Sequence, residues 1–355
     1  MKPTKRMPTM GDVARHAGVS PATVARVLND PEKVSEEKRL RIRAALEATG
    51  YRPNAAARGL RTQRSWTIGL LMVDGSLNPF FSQLGQAIRS EALARGYNVL
   101  IYQHGMSAKR EAEAVAQLLQ QRADAVIFAY AVTATGLQPL IDAGTPIVQI
   151  EQYLRPDTDS VLIDPRPGIE AAVAHLVSLG HHRIGFIGGD PARYARTKHG
   201  DTTQEGARLA AMRDACARLG TDADPDLTQL GLYFSTGQDD PASEGREMMQ
   251  TLLGLAQPPT AVIAAGDILA AGALQAIGAA GLRVPQDISV IGFDNSIANL
   301  LSPPLTSIGR PLDKMAQCAI DMVLEAVQTP AAQQRCETFD TFLVKRASVG
   351  PVKPR

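Results

Sequence analysis

Apolar residues recur at two different periods along this chain, and the change of period divides it. In DVARHAGVSPATVARVLND, residues 12–30, Val13, Ala14 and Ala17 fall on one helical face, and Val24, Val27 and Leu28 fall on another. Gly18 supplies a tight turn between them. Ser20 suits the N-cap of the second helix, because its hydroxyl can accept from a backbone N–H one turn in. Pro21 suits the first helical position, where its missing N–H costs nothing. The pattern predicts helix, short turn, helix, with both apolar stripes inward and Pro21, Ala22, Ala25, Arg26 and Asn29 outward. A third helix is predicted in SEEKRLRIRAALEATGY, with Ser35 as its N-cap, Glu36 and Glu37 at the positive end of its dipole and Gly50 at its stop. Residues 52–65, RPNAAARGLRTQRS, are basic and alanine-rich, and composition alone reads them as a linker.

From Trp66 the period shortens. Brief apolar runs alternate with amphipathic stretches: strands are predicted at 67–73, 97–102, 125–129, 146–150, 160–163, 183–188, 260–266 and 287–293. Helices are predicted at 79–95, 109–121, before Gly144, and at 166–179, 204–219, 242–254 and 268–280. Strands of this kind between helices imply an α/β fold, with parallel sheets covered on both faces. About 290 residues of it exceeds one sheet and implies two similar lobes. Ligands of open α/β sheets collect at the carboxyl ends of strands. Those ends carry Asn78 and Phe80 in DGSLNPFF, then Glu151, Gly266-Asp267 and Asp294-Asn295. Carboxylates and amides beside aromatic faces suit a small polar molecule with a ring, a sugar or a nucleobase.

Charge adds a direction. Residues 1–64 hold 14 Lys and Arg against 6 Asp and Glu, whereas the remainder holds 23 against 30. A basic head on an acidic body predicts that the head meets a polyanion. Cys216, Cys318 and Cys336 lie far apart without metal or redox spacing, which suits a reduced compartment and no disulfide framework. Neither a secretory signal nor a membrane span is expected, so the location is expected to be cytoplasmic.

TMGDVARHAGVSPATVARVLNDPEKVS, GYRPNAAARGL, LNPFF, AGLRVPQDISVIGFDN, PPLTSIGRP and LVKR resemble, in order and spacing, the lactose-repressor family of bacterial transcription regulators, from about Thr9 to Arg346. The resemblance implies a helix-turn-helix domain over 1–52 that binds duplex DNA as a homodimer, a hinge helix over 53–65, and a core like periplasmic binding proteins over 66–346. One lobe would comprise about 66–163 and 294–328, the other about 164–293 and 329–346, with crossings near Asp164, Asp294 and Thr329. Base-reading positions fall on Pro21, Ala22 and Arg26, with Thr23 and Asn29 on the same helix. Arg26 is the residue able to make a bidentate contact to guanine. Lys5, Arg6, Arg39 and Arg58 would touch phosphates, and Leu60, one turn after Ala57, would wedge between base pairs. Ala25 stands where serine is usual.

In the core, Arg208 and Asp294 align with effector-gripping residues. Asn78, Phe80, Glu151, Asp267 and Phe234 complete the candidate set. Gly266 replaces a common asparagine, while the stretches 190–207 and 235–242 are longer than usual. The implied activity is repression relieved, or in the reverse sense enforced, by a small effector at a palindromic operator. ASVGPVKPR lacks heptads, so a dimer without a tetramerising tail is expected, with its core interface along 79–95 and 268–280. An enzyme is disfavoured: GFIGGDP fits neither GxGxxG nor GxxxxGK[ST], no Ser/His/Asp or HExxH arrangement occurs, and neither a cofactor nor a metal is expected. A periplasmic solute-binding role is opposed by the basic three-helix head.

Overall fold

The computed structural model describes residues 8–51, 64–74, 78–193, 203–221, 224–231, 240–329 and 334–353. The chain divides into two compact units, Met1–Ser65 and Trp66–Arg355.

The first unit contains α1 (Met10–Ala17), α2 (Pro21–Asn29) and α3 (Glu36–Thr49). Its core consists of Val13, Ala14, Ala17, Val24, Val27, Ile42 and Ala45, the residues that helical spacing places inward, joined by Val34 from the connection between α2 and α3. Thr9 and Asp12 form a reciprocal capping box on α1. Gly18 closes that helix at φ 61°, a left-handed conformation that glycine adopts without a Cβ penalty. Ser20 accepts from Thr23 N at 3.2 Å, with Pro21 at the first turn of α2. Arg41 of α3 donates to Ala17 O at 2.6 Å and so ties the turn down, a contact that periodicity cannot reveal. Ser35 differs from expectation: it precedes α3 without making a side-chain cap. The hinge expected over 53–65, including Ala57, Arg58 and Leu60, lies outside the described residues except for Arg64 and Ser65, as do Lys5 and Arg6.

The second unit holds β1 (Thr67–Met72), α4 (Pro79–Ala94), β2 (Asn98–Gln103), α5 (Ala108–Gln120), β3 (Ala125–Ala129), α6 (Gln138–Asp142), β4 (Ile147–Ile150) and β5 (Asp159–Asp164). It continues with α7 (Arg166–Ser178), β6 (Ile184–Gly189), α8 (Gln204–Leu219), β7 (Thr228–Gly231), α9 (Ser243–Leu253), β8 (Ala261–Ala264), α10 (Asp267–Ala279) and β9 (Ser289–Asp294). The last elements are β10 (Thr306–Gly309), α11 (Leu312–Gln328), β11 (Cys336–Asp340) and β12 (Phe342–Val344). Two six-stranded sheets result, with orders β11-β5-β4-β3-β1-β2 and β12-β10-β9-β8-β6-β7. All described pairings are parallel except β10 with β12. Within β1, Ile68, Leu70 and Met72 join the core on one face while Leu71 joins a second cluster on the other. The two-residue period of a strand explains why these segments read as unbroken apolar runs.

Two lobe crossings differ from expectation. β10 pairs with β9, so 294–309 stays in the second lobe and the chain returns to the first near Arg310 rather than near Asp294. β11 pairs with β5, so the last crossing falls near Thr341 rather than near Thr329. Both strands are short and carry little apolar signal, yet each completes a sheet edge. Thr341 marks that crossing by accepting from Gly168 N at 3.1 Å and donating to Asp164 O at 2.9 Å.

Gly272 of α10 faces its own chain. A Cβ on Gly272 would lie 2.1 Å from Ala242 O, and one on Gly245 would lie 2.2 Å from Leu269 O. Gly245 and Gly272 thus let α9 and α10 approach closely. His181, just past the end of α7, bridges Thr260 Oγ1 and Gly350 O, each at 2.9 Å.

Candidate effector site and DNA-facing surface

On α2, Pro21, Ala22 and Arg26 are exposed and Thr23 and Ala25 half-buried, as the inward stripe requires. Among the described residues Arg26 makes no ion pair, which leaves its guanidinium free to meet an external acceptor. Arg39 differs: its guanidinium lies 3.6 Å from Glu32 and 3.3 Å from Glu36, so a phosphate would compete with two carboxylates. The side chain of Asn29 lies outside the described residues.

In the core, the strand ends converge. Asn78 caps α4 by accepting from Phe80 N at 3.0 Å, which leaves its Nδ2 to donate to Asp294 Oδ2 at 3.2 Å. Glu151 follows β4, and its Oε2 lies 2.8 Å from Arg310 Nη1 and 3.5 Å from Arg208 Nη2. Arg310 Nη2 also donates to Asp294 Oδ1. The Arg310 guanidinium stacks 3.8 Å from the Phe80 ring centre, and Arg208 lies 4.5 Å from that of Phe293. Arg208 further donates to Ala265 O at 3.2 Å. All of these charged groups are at most 7% exposed. Tyr130, Glu151 and Asp294, each just past or at a strand end, have φ of 75°, 64° and 98°. Non-glycine residues held left-handed carry local strain, which persists where surrounding structure over-determines it, commonly at functional sites.

Asn78, Phe80, Phe81, Tyr130, Glu151, Gln204, Glu205, Arg208 and Arg310 line a cavity of about 20 Å³. That is room for about one water. Admission of anything larger requires the two lobes to part or the ion pairs between them to exchange partners. These pairs cross from one lobe to the other: Asn78 to Asp294, Glu151 to Arg208 and Arg310, and Gln83 Nε2 to Ser296 O at 2.7 Å.

Asn78, Phe80, Glu151, Arg208 and Asp294 are thus gathered as expected. Asp267 is not. It is fully buried behind the site, where its Oδ2 accepts from Ser296 N at 2.7 Å and Ile297 N at 3.2 Å, and its Oδ1 from Ser307 Oγ at 2.6 Å. Its Oδ2 braces the 295–297 loop and its Oδ1 holds β10, and the residue does not line the cavity. Burial, then the negative charge of Asp294, pushes its carboxyl up to about 6. Phe234 lies outside the described residues, along with 194–202 and 232–239. Arg310, Glu205, Gln204, Tyr130 and Phe293 escaped the sequence reading. Arg310 follows a strand, the signal that selected Glu151 and Asp294, but β10 itself was not recognised in PPLTSIGRP. Burial pushes the Glu205 carboxyl up, with Arg208 opposing it. A Cβ on Gly266 would reach Asp294 Oδ2 at 3.6 Å, so the absent side chain borders this cluster.

Residues 9–54 match the model of bacterial regulatory proteins, lacI family, and residues 173–349 match a periplasmic binding protein-like domain. The ribose operon repressor of Escherichia coli (strain K12) is 33% identical over 346 residues, spanning 96% of this chain and 100% of that protein. The chain belongs to the lacI family of bacterial regulatory proteins. Other relatives are the regulator GalR of Escherichia coli (strain K12), 34% identical over 97% of this chain and 96% of its own, and the repressor PurR of Pectobacterium atrosepticum, 31% identical over 98% and 99%. Among solved structures, the lac repressor dimer bound to operator and an anti-inducer is similar with TM-score 0.78 and 28% identity, over 97% of this chain and 100% of that one. This lacI-family chain is therefore a DNA-binding transcriptional regulator with an effector-binding core, and not an enzyme. Among the described residues no helix is long and apolar enough to cross a membrane, and no group of three His, Cys, Asp or Glu side chains is placed to hold a metal.

Proposed function

We propose that this protein is a cytoplasmic homodimeric repressor that leaves a palindromic operator when a small hydroxylated ring compound, a sugar or sugar derivative, enters between its core lobes. The observation that carries this reading is the convergence of strand ends from both lobes on one buried polar cluster beside Phe80, Phe81 and Phe293. Stacked aromatic faces with convergent donors and acceptors suit a polar ring. Asn78, Phe80, Glu151, Arg208 and Asp294, with Arg310, would contact it.

The lobe-to-lobe ion pairs supply the switch. A ligand that takes over bonds now made between lobes prefers a different lobe orientation, and unequal affinity for two orientations shifts their populations. In the head, Arg26 reads a base edge while Pro21, Ala22, Thr23 and Asn29 shape the fit. Lys5, Arg6, Ala57, Arg58 and Leu60 engage backbone and minor groove.

The test begins with selection of a preferred palindrome from random duplexes by the full chain, followed by titration with and without candidate sugars. Arg26→Ala should cost about 1–3 kcal/mol on the selected site and little on random duplex. Equal weakening on both would reduce Arg26 to a phosphate contact. No preferred palindrome would sink the proposal.

A further inference from the structure

The charges of the interlobe cluster cancel among themselves. Arg310 is shared by Glu151 and Asp294, and Arg208 lies 3.5 Å from the same Glu151 oxygen, so two guanidiniums face two carboxylates. Glu205, on the first turn of α8 and 3% exposed, is a further carboxyl on the cavity. Burial pushes it up against the opposing pull of Arg208, which favours the uncharged acid. Asp267 stands behind the site and is held by donors of its own, Ser296 N, Ile297 N and Ser307 Oγ. Among the described residues that line the cavity or pair with them, no charge is left to be matched by a ligand.

A second observation concerns hydrogen-bonding capacity. Glu151 is 4% exposed, and while its Oε2 takes both arginines, its Oε1 has no partner among the described residues; neither has Gln204 Oε1. Arg310 Nε is a buried donor that is likewise unused. An uncharged Glu205 carboxyl brings an O–H as well. All four residues line the cavity. Unused donors and unused acceptors are therefore present together, without a net charge behind either.

From this we propose that the effector is an uncharged polyhydroxylated ring, a free neutral sugar, and that the paired charges of Glu151, Asp294, Arg208 and Arg310 reject its phosphorylated, acidic and amino forms. The proposal rests on the reading of the cluster as the effector site. A hydroxyl donates and accepts at once. It can enter between Glu151 and Arg208, giving to the carboxylate while taking from the guanidinium, and the charge of the cluster is unchanged. An anion must instead draw an arginine away from Glu151 or Asp294 and leave that carboxylate buried without its partner. A cation does the same to a guanidinium. Either exchange strands a buried charge, which discriminates against the charged ligand more strongly than any contact favours the neutral one.

The experiment is a thermal-melt panel on the full chain. Glucose, galactose and mannose are each supplied as the parent sugar, the 6-phosphate, the uronic acid and the 2-amino sugar. A ligand that binds only the native state raises the melting temperature in a concentration-dependent way. The expected result is a rise with at least one parent sugar, its charged forms binding at least about tenfold more weakly, as a stranded buried charge predicts. A charged form that comes closer to its parent than that, or exceeds it, overturns the neutral assignment and leaves the sugar-responsive reading intact. No rise with any member overturns both. Glu151→Gln tests the cause, because it leaves the two arginines with Asp294 alone. Preference should then move toward the phosphate and the uronic acid by at least about tenfold relative to the parent sugar. A folded Glu151→Gln whose preference does not move overturns the role given to the paired charges. If that variant does not fold, the panel on the unaltered chain still decides.

Discussion

The outward face of α2 and the interlobe cluster are both polar, yet they hold their charges in opposite ways. Arg26 stands exposed and makes no ion pair among the described residues, whereas Arg310 is 7% exposed and shared between Glu151 and Asp294. A surface meant for a polyanion keeps its cation in water, where the cost of waiting is small. A pocket between lobes cannot, since a buried cation must be paired in every state of the protein. The head can therefore be altered at the exposed positions of α2 without endangering its fold. The core cannot, because the residues of its interlobe cluster also hold the two lobes together.

Exchange of the two arginines for alanine tests that contrast most directly. Arg310→Ala strands Glu151 and Asp294 without their strongest partner, and should lower stability by about 3–5 kcal/mol in urea unfolding. Arg26→Ala should change stability by no more than about 0.5 kcal/mol, as for surface positions generally. Comparable losses at both would erase the distinction. A smaller effect is expected at the head's own scaffold: Ser20→Ala removes the acceptor for Thr23 N and should cost about 1 kcal/mol, read as a lower melting temperature of the head.

The smallest effect is a slope. The folded chain holds the Asp267 proton up to about 6, against 3.8 for the free side chain, so between those values the native state binds more protons than the unfolded one. Stability from this group is present at the acid end of that window and is lost as pH rises through about 6. Asp267→Asn should flatten that slope. At neutral pH it should cost only about 0.5 kcal/mol, since an amide can keep its oxygen toward Ser296 N and Ile297 N and turn its NH₂ to Ser307 Oγ. An unchanged pH profile would show that Asp267 stays ionised throughout.

The same contrast explains what could be read in advance. The head was legible almost residue by residue, since Gly18, Ser20 and Pro21 act on neighbours within one turn. In the core, strands with continuous apolar runs were legible. β7, β11 and β12 were not, because TQLG, CETFD and FLV are too short or too polar to show a period. Those omissions misplaced the lobe crossings, and the omission of β10 hid Arg310. Asp267 misled in the other direction. A carboxylate after a strand is a fair ligand candidate, but the loop that folds over it turns two backbone N–H groups and a serine hydroxyl toward it.

By itself the sequence determined which segments become helix or strand and which helix face meets water, because both depend on residues a few positions apart. It also placed the basic charge on the head. Only the tertiary structure decided which charges neutralise one another: Asn78 and Asp294 meet across 216 positions, and Arg310 finds Glu151 only because strand order brings β4 and β10 to one edge-on cleft. A charge acquires its meaning from burial and partner. Both are properties of distance through space, which position along the chain does not encode.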